Sequence, residues 1–318
     1  MSGSDQILGV YLSPTLDLQS LYGAELERAD PDIAVLRPEQ IDDPARVRFA
    51  VCWLPEAKCL AAYPNLELAM SIGAGVNDLL GNPGLAEGVA IARVRDPHQA
   101  ALMAGYAAYE VLHVSRGFAE LAGSAAQARW APLPMHAPEA TTIAVLGNGT
   151  MGAAVTKALR ALGFGLRVAC RSTPADPIDG VTYCTGPEGI IEAVTGARFV
   201  INILPLTPAT ENVLDAALFA AMARGGWLVQ IGRGEHLNEA DLLSALDSGQ
   251  LAGATLDVFR KEPLPADHPW WRDGRLRITP HIASDSIPSV VAAQILSTVR
   301  ELRDCIPLSL GVERARGY

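Results

Sequence analysis

The 318-residue chain reads as an α/β protein with two doubly wound parallel-sheet domains. Short apolar segments recur along it and alternate with helical stretches, the pattern of parallel strands covered by helices on both faces. A glycine run, Gly147-Asn148-Gly149-Thr150-Met151-Gly152, falls where an apolar strand gives way to a helix. The length, at about 150 residues per domain, accommodates two buried cores.

The first hundred residues supply five candidate strands, at 7–12, 33–36, 49–54, 66–72 and 89–94. Their near-continuous apolar character suits strands buried on both faces. After Pro97 an Ala-rich stretch reads as one long helix leading from the first domain into the second. Residues 117–140 break the pattern with Pro132, Pro134 and Pro138 and no sustained periodicity, and are expected to form an irregular arm that packs against a second subunit.

From Thr141 the βα alternation is regular. Strand 142–146, helix 151–162 and strand 166–170 make the first unit, and further strands are predicted at 199–204, 227–232, 254–259 and 276–279. Asn238 is placed to cap the helix that follows it. The segment SIPSVVAAQILSTVREL is an amphipathic helix expected to return to the first domain.

Composition narrows the function. With 25 basic and 35 acidic residues the formal charge is −10, against an electrostatic grip on nucleic acid or an anionic membrane. The five cysteines are scattered without a Cys-x-x-Cys pair, which fits neither a disulfide framework nor a structural zinc site. No metal site is expected. The N-terminal MSGSDQILGV has no secretory pattern and no segment has the length of a bilayer span, so a cytoplasmic protein with a small-molecule partner is expected.

The glycine run supplies what a dinucleotide requires. Gly147 permits the tight turn, Gly149 lets a pyrophosphate approach the backbone, and Gly152 allows close packing of helix on strand. The helix start at Thr150 and Met151 then offers unpaired N–H groups to the phosphates. The second strand ends in Arg171-Ser172-Thr173, without the acidic residue that binds both ribose hydroxyls in NAD sites. Arg171 can pair with a 2′-phosphate while Ser172 and Thr173 donate hydrogen bonds, which favours NADP(H). The competing reading makes Arg171 a solvated charge in an NAD(H) enzyme of relaxed preference.

Three later strand ends carry the side chains that reduction of a carbonyl acid requires: Arg233 in GRG, Glu262 in DVFRKEPLP and His281 in ITPHIAS. Ligands of open α/β sheets gather beyond the carboxyl ends of the strands, so these positions can converge.

These segments, with INILPLTPATENVLD and LVQIGRGEHLNEADLLSAL, closely resemble the D-isomer-specific 2-hydroxyacid dehydrogenase family, in order and at family-like spacing. SIGAGVNDLL, VCWLP and the tryptophan pair of ADHPWW resemble its glyoxylate/hydroxypyruvate reductase branch. The interdomain helix departs from that branch at Gly105, where a larger polar residue is common.

The resemblance implies a Rossmann cofactor domain (98–284) inserted in a flavodoxin-like substrate domain (1–97 and 285–318), with substrate in the cleft. It makes Arg233 the carboxylate binder, His281 the acid/base and Glu262 the partner that favours the imidazolium. Leu204, Pro205, Thr207, Ile231 and Gly232, with Arg233 and His281, would line the cofactor. Asp257 would contact the nicotinamide amide, the alternative being a buried carboxylate paired with backbone N–H groups. Ala74 and Gly75 would form a second carboxylate clamp, and Trp53 and Trp270 would wall the pocket. His98, His113, His136, His236 and His268 are read as structural or surface residues.

The expected reaction is NADPH-dependent reduction of a small 2-oxo acid, glyoxylate or hydroxypyruvate in type, by a homodimer. Alternatives are a dehydrogenase for a bulkier 2-oxo acid and a non-catalytic nucleotide sensor on the same fold. A phosphoglycerate dehydrogenase would carry a further regulatory domain after His281.

Overall fold

A computed structural model describes residues 6–314. Residues 1–5, part of the segment read above for a leader, lie outside the described residues, as do 315–318. The chain begins with β1 (Ile7–Leu12), α1 (Leu18–Ala29), β2 (Ile33–Leu36), β3 (Val47–Cys52), β4 (Leu68–Ser71), α2 (Asn77–Leu80) and β5 (Ala90–Arg93). It continues through α3 (Pro97–Ser115), α4 (Phe118–Ala126), β6 (Thr142–Leu146), α5 (Thr150–Ala161), β7 (Gly165–Cys170), β8 (Val181–Thr185) and α6 (Gly189–Val194). Then come β9 (Phe199–Asn202), α7 (Ala216–Ala221), β10 (Gly226–Gln230), α8 (Glu239–Asp247), β11 (Leu251–Leu256), β12 (Leu276–Ile278) and α9 (Pro288–Arg303).

Two compact units result. One holds the residues up to His98 and from Asp285 onward, and the other is Gln99–Ser284. The first contains a five-stranded parallel sheet of order β2-β1-β3-β4-β5, the flavodoxin-like arrangement. Its two faces are buried by separate clusters, Val10 and Ala50 on one side and Tyr11 and Val51 on the other. Helix α9 belongs to this unit. Val291, Ile295 and Val299 pack with Leu18, Tyr22 and Leu26 of α1, and the Arg300 Nε donates to Asp30 at 2.8 Å.

The second unit holds seven parallel strands in the order β12-β11-β10-β9-β6-β7-β8. Ala144 and Leu146 of β6 face one core and Ile143 and Val145 the other, which is why the strand is apolar throughout. The chain winds outward from β6 through β7 to β8, then crosses to β9 and winds the other way. The reversal between β6 and β9 opens the crevice where doubly wound sheets take their ligands.

Strand starts and ends differ from expectation by a few residues, and two elements differ in kind. Phe118–Ala126 is a helix, so the arm expected to be irregular over 117–140 is helical in its first third. Its Ala-rich sequence supplies the propensity but buries only Ser124, leaving no apolar periodicity to read. Strand β8 was not expected at all. It is an edge strand paired only with β7, and Thr182 and Thr185 face solvent. Asn238 caps α8 as predicted, its side chain accepting the Asp241 N–H at 3.2 Å.

Candidate active site

Parallel register aligns the candidate residues of the second unit along one sheet edge. Ala169 pairs with Leu146, Leu146 with Asn202, Asn202 with Gln230, Gln230 with Leu256, and Leu256 with Ile278. The segments just beyond this row are Arg171–Thr173, the glycine loop, Leu204–Thr207, Ile231–Arg233, Asp257 and His281. Sequence-distant residues are thus brought to one end of one sheet by strand pairing alone.

The glycine loop has the shape expected of it. Gly147 takes φ +105, and a Cβ on Gly152 would collide with the Gly147 carbonyl, so helix α5 can start this close to β6 only with glycine there. Beside Gly149 there is open space, and this N-cap position supplies no side chain to the helix N–H groups. The buried Asn148 Oδ1 has no hydrogen-bond partner among the described residues. Open backbone and uncapped N–H groups fit a dinucleotide phosphate group seated on the turn, whereas the Asn148 oxygen calls for a donor such as a ribose hydroxyl. Arg171, Ser172 and Thr173 stand exposed after β7, next to this loop across the sheet.

His281 and Glu262 form a close pair, with Nδ1 2.7 Å from the Glu262 Oε2. Both are partly open to solvent, 29% and 25% for the two side chains. The other carboxylate oxygen of Glu262 accepts the Phe259 N–H at 2.9 Å. Burial acts to raise the Glu262 pKa, but the hydrogen bond and charge of His281, the Phe259 N–H and the Arg233 charge hold it below the ordinary range. Arg233, Glu262 and His281 follow β10, β11 and β12, three strands that are adjacent in the sheet. With Nδ1 engaged by a carboxylate, proton exchange with a substrate would fall to Nε2.

The backbone at His281 is left-handed, with φ 55. For a non-glycine residue this costs about 1–2 kcal/mol, and the surroundings hold it there. Asp257, 1% exposed, accepts the Ile282 N–H on Oδ1 at 2.8 Å and the Ala283 N–H on Oδ2 at 2.9 Å. Its carbonyl accepts the His281 N–H at 2.9 Å. The Thr279 hydroxyl also donates to Oδ1 at 2.6 Å, so the Tyr106 hydroxyl, 2.6 Å from Thr279 Oγ1, must be the donor in that second bond. Of the two readings of Asp257, a buried carboxylate serving backbone N–H groups describes these surroundings. Thr279 and Tyr106 were not singled out from sequence: ITPHIAS was read for His281 rather than for Thr279, and Tyr106 is far from Thr279 along the chain.

Arg233 follows β10 in extended backbone, φ −141, and its Nη1 donates to the Gly232 carbonyl at 2.7 Å. Its N–H and C=O are both bonded to buried side chains, His236 and Gln230. Of the two readings of His236, structural or surface, the first describes it: the ring is buried and holds the Arg233 N–H. Its sequence signal was the three-residue step from Arg233, the reach of a single tight turn.

In the first unit, Trp53 follows β3 and its ring lies against Gly73, where a Cβ would approach it to 2.7 Å. The loop after β4 is tied from behind. The Ser71 hydroxyl donates to the Gly75 carbonyl at 2.8 Å, and the half-buried Arg93 donates to the Ala74 carbonyl at 2.9 Å. Because the peptide is trans, the Gly75 N–H then points away from Arg93. In the second unit Trp270 is 4% exposed, packed against Phe259 and edge-on to His268. Its neighbour Trp271 is half exposed and donates to the Pro265 carbonyl at 2.8 Å. Among the described residues no group of three His, Cys, Asp or Glu side chains could hold a metal ion, and all five cysteines are free.

Comparison with known proteins agrees with this geometry. The NAD-binding domain of the D-isomer specific 2-hydroxyacid dehydrogenases matches residues 109–283. The chain is 40% identical over 274 residues to glyoxylate/hydroxypyruvate reductase A of Serratia proteamaculans (strain 568), covering 85% of this chain and 87% of that one. The Salmonella typhi protein of the same name is 35% identical over 314 residues, 97% of this chain and 99% of its own. Among solved structures, a D-isomer specific 2-hydroxyacid dehydrogenase from Xanthobacter autotrophicus Py2 in complex with NADPH and MES superposes with a TM-score of 0.87 at 33% identity, covering 99% and 100% of the two chains. The NADPH-dependent glyoxylate/hydroxypyruvate reductase from Sinorhizobium meliloti, in complex with NADP and sulfate, gives 0.88 at 27% identity over 98% and 100%. The chain belongs to the D-isomer-specific 2-hydroxyacid dehydrogenase family, in its glyoxylate/hydroxypyruvate reductase A branch, and is an NAD(P)-dependent oxidoreductase.

Proposed function

We propose that this protein reduces a small 2-oxo acid of the glyoxylate or hydroxypyruvate type to the 2-hydroxy acid with NADPH. The observation that carries the reading is the His281–Glu262 pair at 2.7 Å, with Arg233 at the same end of the sheet just beyond β10, the strand beside β11. A cation for the substrate carboxylate and a proton donor for its carbonyl thus lie together. Units 98–284 and 1–97 with 285–318 take the cofactor-binding and substrate-binding roles.

The nicotinamide supplies the hydride. The chain's part is to bind, orient and move one proton. The Arg233 guanidinium grips the carboxylate through paired hydrogen bonds, which fixes the adjacent C2 carbonyl. Protonated His281 gives its Nε2 proton to the oxygen as the C2–O bond gains alkoxide character, and neutral imidazole remains. Glu262, ionised through the neutral range, compensates the imidazolium before transfer. In the oxidative direction Nε2 takes the hydroxyl proton back.

NADPH rather than NADH is favoured by Arg171, Ser172 and Thr173 at the end of β7 and by the absence of an acid there. A homodimer is supported by exposed apolar side chains on α3 and the following arm: Leu102, Tyr109, Phe118, Met135 and Trp130, the last 97% exposed. Among the described residues no helix is long and apolar enough to cross a membrane, and a cytoplasmic setting accords with a nicotinamide reductase.

The test is loss of NADPH absorbance with glyoxylate, hydroxypyruvate, pyruvate and phenylpyruvate, repeated with NADH and with Arg171→Ala. Turnover of the two small acids, faster with NADPH and with that preference reduced in Arg171→Ala, is the expected result. Turnover confined to phenylpyruvate would move the substrate to bulkier acids. Tight NADPH binding without turnover would make the protein a sensor.

A further inference from the structure

Three polar side chains with no role in the reaction just described lie around the Arg233 turn, each 0% exposed: Asn202, Gln230 and His236. Asn202 and Gln230 are direct partners in the β9–β10 register, and His236 comes one tight turn after Arg233. Backbone N–H groups can only donate, so they define the rest of the cluster. The Leu204 N–H donates to Asn202 Oδ1 at 3.3 Å, the Gly232 N–H to Gln230 Oε1 at 3.3 Å, and the Arg233 N–H to His236 Nδ1 at 3.1 Å. The amide nitrogens must then face the remaining acceptors. Asn202 Nδ2 lies 2.8 Å from Gln230 Oε1 and 3.0 Å from His236 Nδ1, and Gln230 Nε2 donates to the Arg233 carbonyl at 2.7 Å.

With two N–H groups converging on Nδ1, the ring is neutral and carries its hydrogen on Nε2. Burial, reinforced by the charge on Arg233 and only partly offset by the Pro205 and Arg233 backbone, pushes the His236 pKa down to about 4. Nε2 is buried and reaches no acceptor at hydrogen-bonding geometry among the described residues. The three groups have a common property: none carries charge. A carboxylate in place of His236 would hold the same N–H, but it would also compete with the substrate for the guanidinium.

We infer that Asn202, Gln230 and His236 form a positioning cluster that fixes the backbone of Arg233, aims its guanidinium at the substrate carboxylate and ties this turn to the Leu204 segment. The inference rests on the assignment of Arg233 as carboxylate binder. The backbone direction at Arg233 sets where its long side chain starts, and a buried N–H left without an acceptor would drive the turn to rearrange.

The experiment measures KM for glyoxylate and, independently of turnover, the Kd of oxamate for the NADPH-loaded protein by fluorescence. The variants are His236→Asn, His236→Gln, His236→Leu and Gln230→Met, with Arg233→Ala as reference and thermal melting as a check of folding. Asparagine puts an amide oxygen where Nδ1 was, while glutamine puts it where Nε2 was and leucine offers no acceptor. The expected result is a rise of about tenfold or more in KM and oxamate Kd for His236→Gln, His236→Leu and Gln230→Met. Their kcat should change less and their NADPH Kd by under about twofold, and His236→Asn should return both constants to within about threefold of wild type. If His236→Leu does not fold, the asparagine–glutamine pair decides. Equal constants for that pair, or parallel loss of NADPH affinity, would overturn the inference while Arg233→Ala still raised the oxamate Kd. An unchanged oxamate Kd in Arg233→Ala would instead overturn the carboxylate assignment and the inference with it.

Discussion

The turns that carry His281 and Arg233 close neighbouring parts of one sheet, yet they are held in opposite ways. His281 sits in left-handed backbone, and the carboxylate of Asp257 takes the next two N–H groups. Arg233 sits in relaxed extended backbone, and one neutral amide and an imidazole take its backbone polar groups. The difference follows the job. A cation that must bind a carboxylate is best anchored by groups that do not compete for it. A histidine that must be protonated gains from an acid beside it, and Asp257 lies behind its backbone while Glu262 meets its ring. The left-handed conformation is held by at least three hydrogen bonds, as strained functional residues generally must be.

The contrast can be broken most severely at the ring itself. His281→Ala should lower kcat by roughly 10²–10⁴-fold, the usual contribution of a general acid, with NADPH affinity retained; a stopped-flow single-turnover measurement would read it. Glu262→Gln keeps a hydrogen-bond partner but removes the charge. A charge-assisted bond is worth about 1.5–3 kcal/mol, so kcat should fall about 10–100-fold.

Asp257→Asn tests the backbone anchor without touching the ring. An amide cannot accept on both sides, so one N–H among Thr279–Ala283 partners is left facing a donor, at a cost of about 1–3 kcal/mol. A lower melting temperature and a kcat reduced more than oxamate affinity would sharpen the contrast with the His236 variants. An equal loss of both would erase it.

The smallest effect is on acid stability. His236 has a folded pKa of about 4 against an ordinary 6.5. Between those values the unfolded chain binds a proton that the folded chain refuses, so its contribution is complete above 6.5 and is lost as pH falls toward 4. Glu262 acts lower, its contribution being present above the ordinary carboxylate pKa and lost as pH falls through its depressed folded value. Thermal melts of wild type from pH 7 to about 4.5 should therefore show a decline that His236→Asn flattens.

Much of this site was legible before any coordinates. The strand-end positions of Gly147, Arg233, Glu262 and His281 follow from where apolar runs stop, because a strand buried on both faces must be apolar and its functional end must not be. Strand β8 escaped notice for the converse reason. It lies at an edge, Thr182 and Thr185 are exposed, and its residues are mixed. The helix Phe118–Ala126 escaped because nearly all of it is exposed, so no periodic burial constrains its side chains. Asn202, Gln230 and His236 were invisible as a group. Each looks like an isolated polar residue in or after an apolar segment, and only the register of β9 with β10 makes the first two neighbours.

By itself, the sequence determined the class of fold and the glycine turn, which are local consequences of burial pattern and glycine geometry, and it offered Arg233, Glu262 and His281 as candidates through their strand-end motifs and a family resemblance. Only the tertiary structure decided how those residues are held. The hydrogen bonds that orient His281 and Arg233 join atoms far apart along the chain, and strand pairing, which no local window contains, brings them within reach.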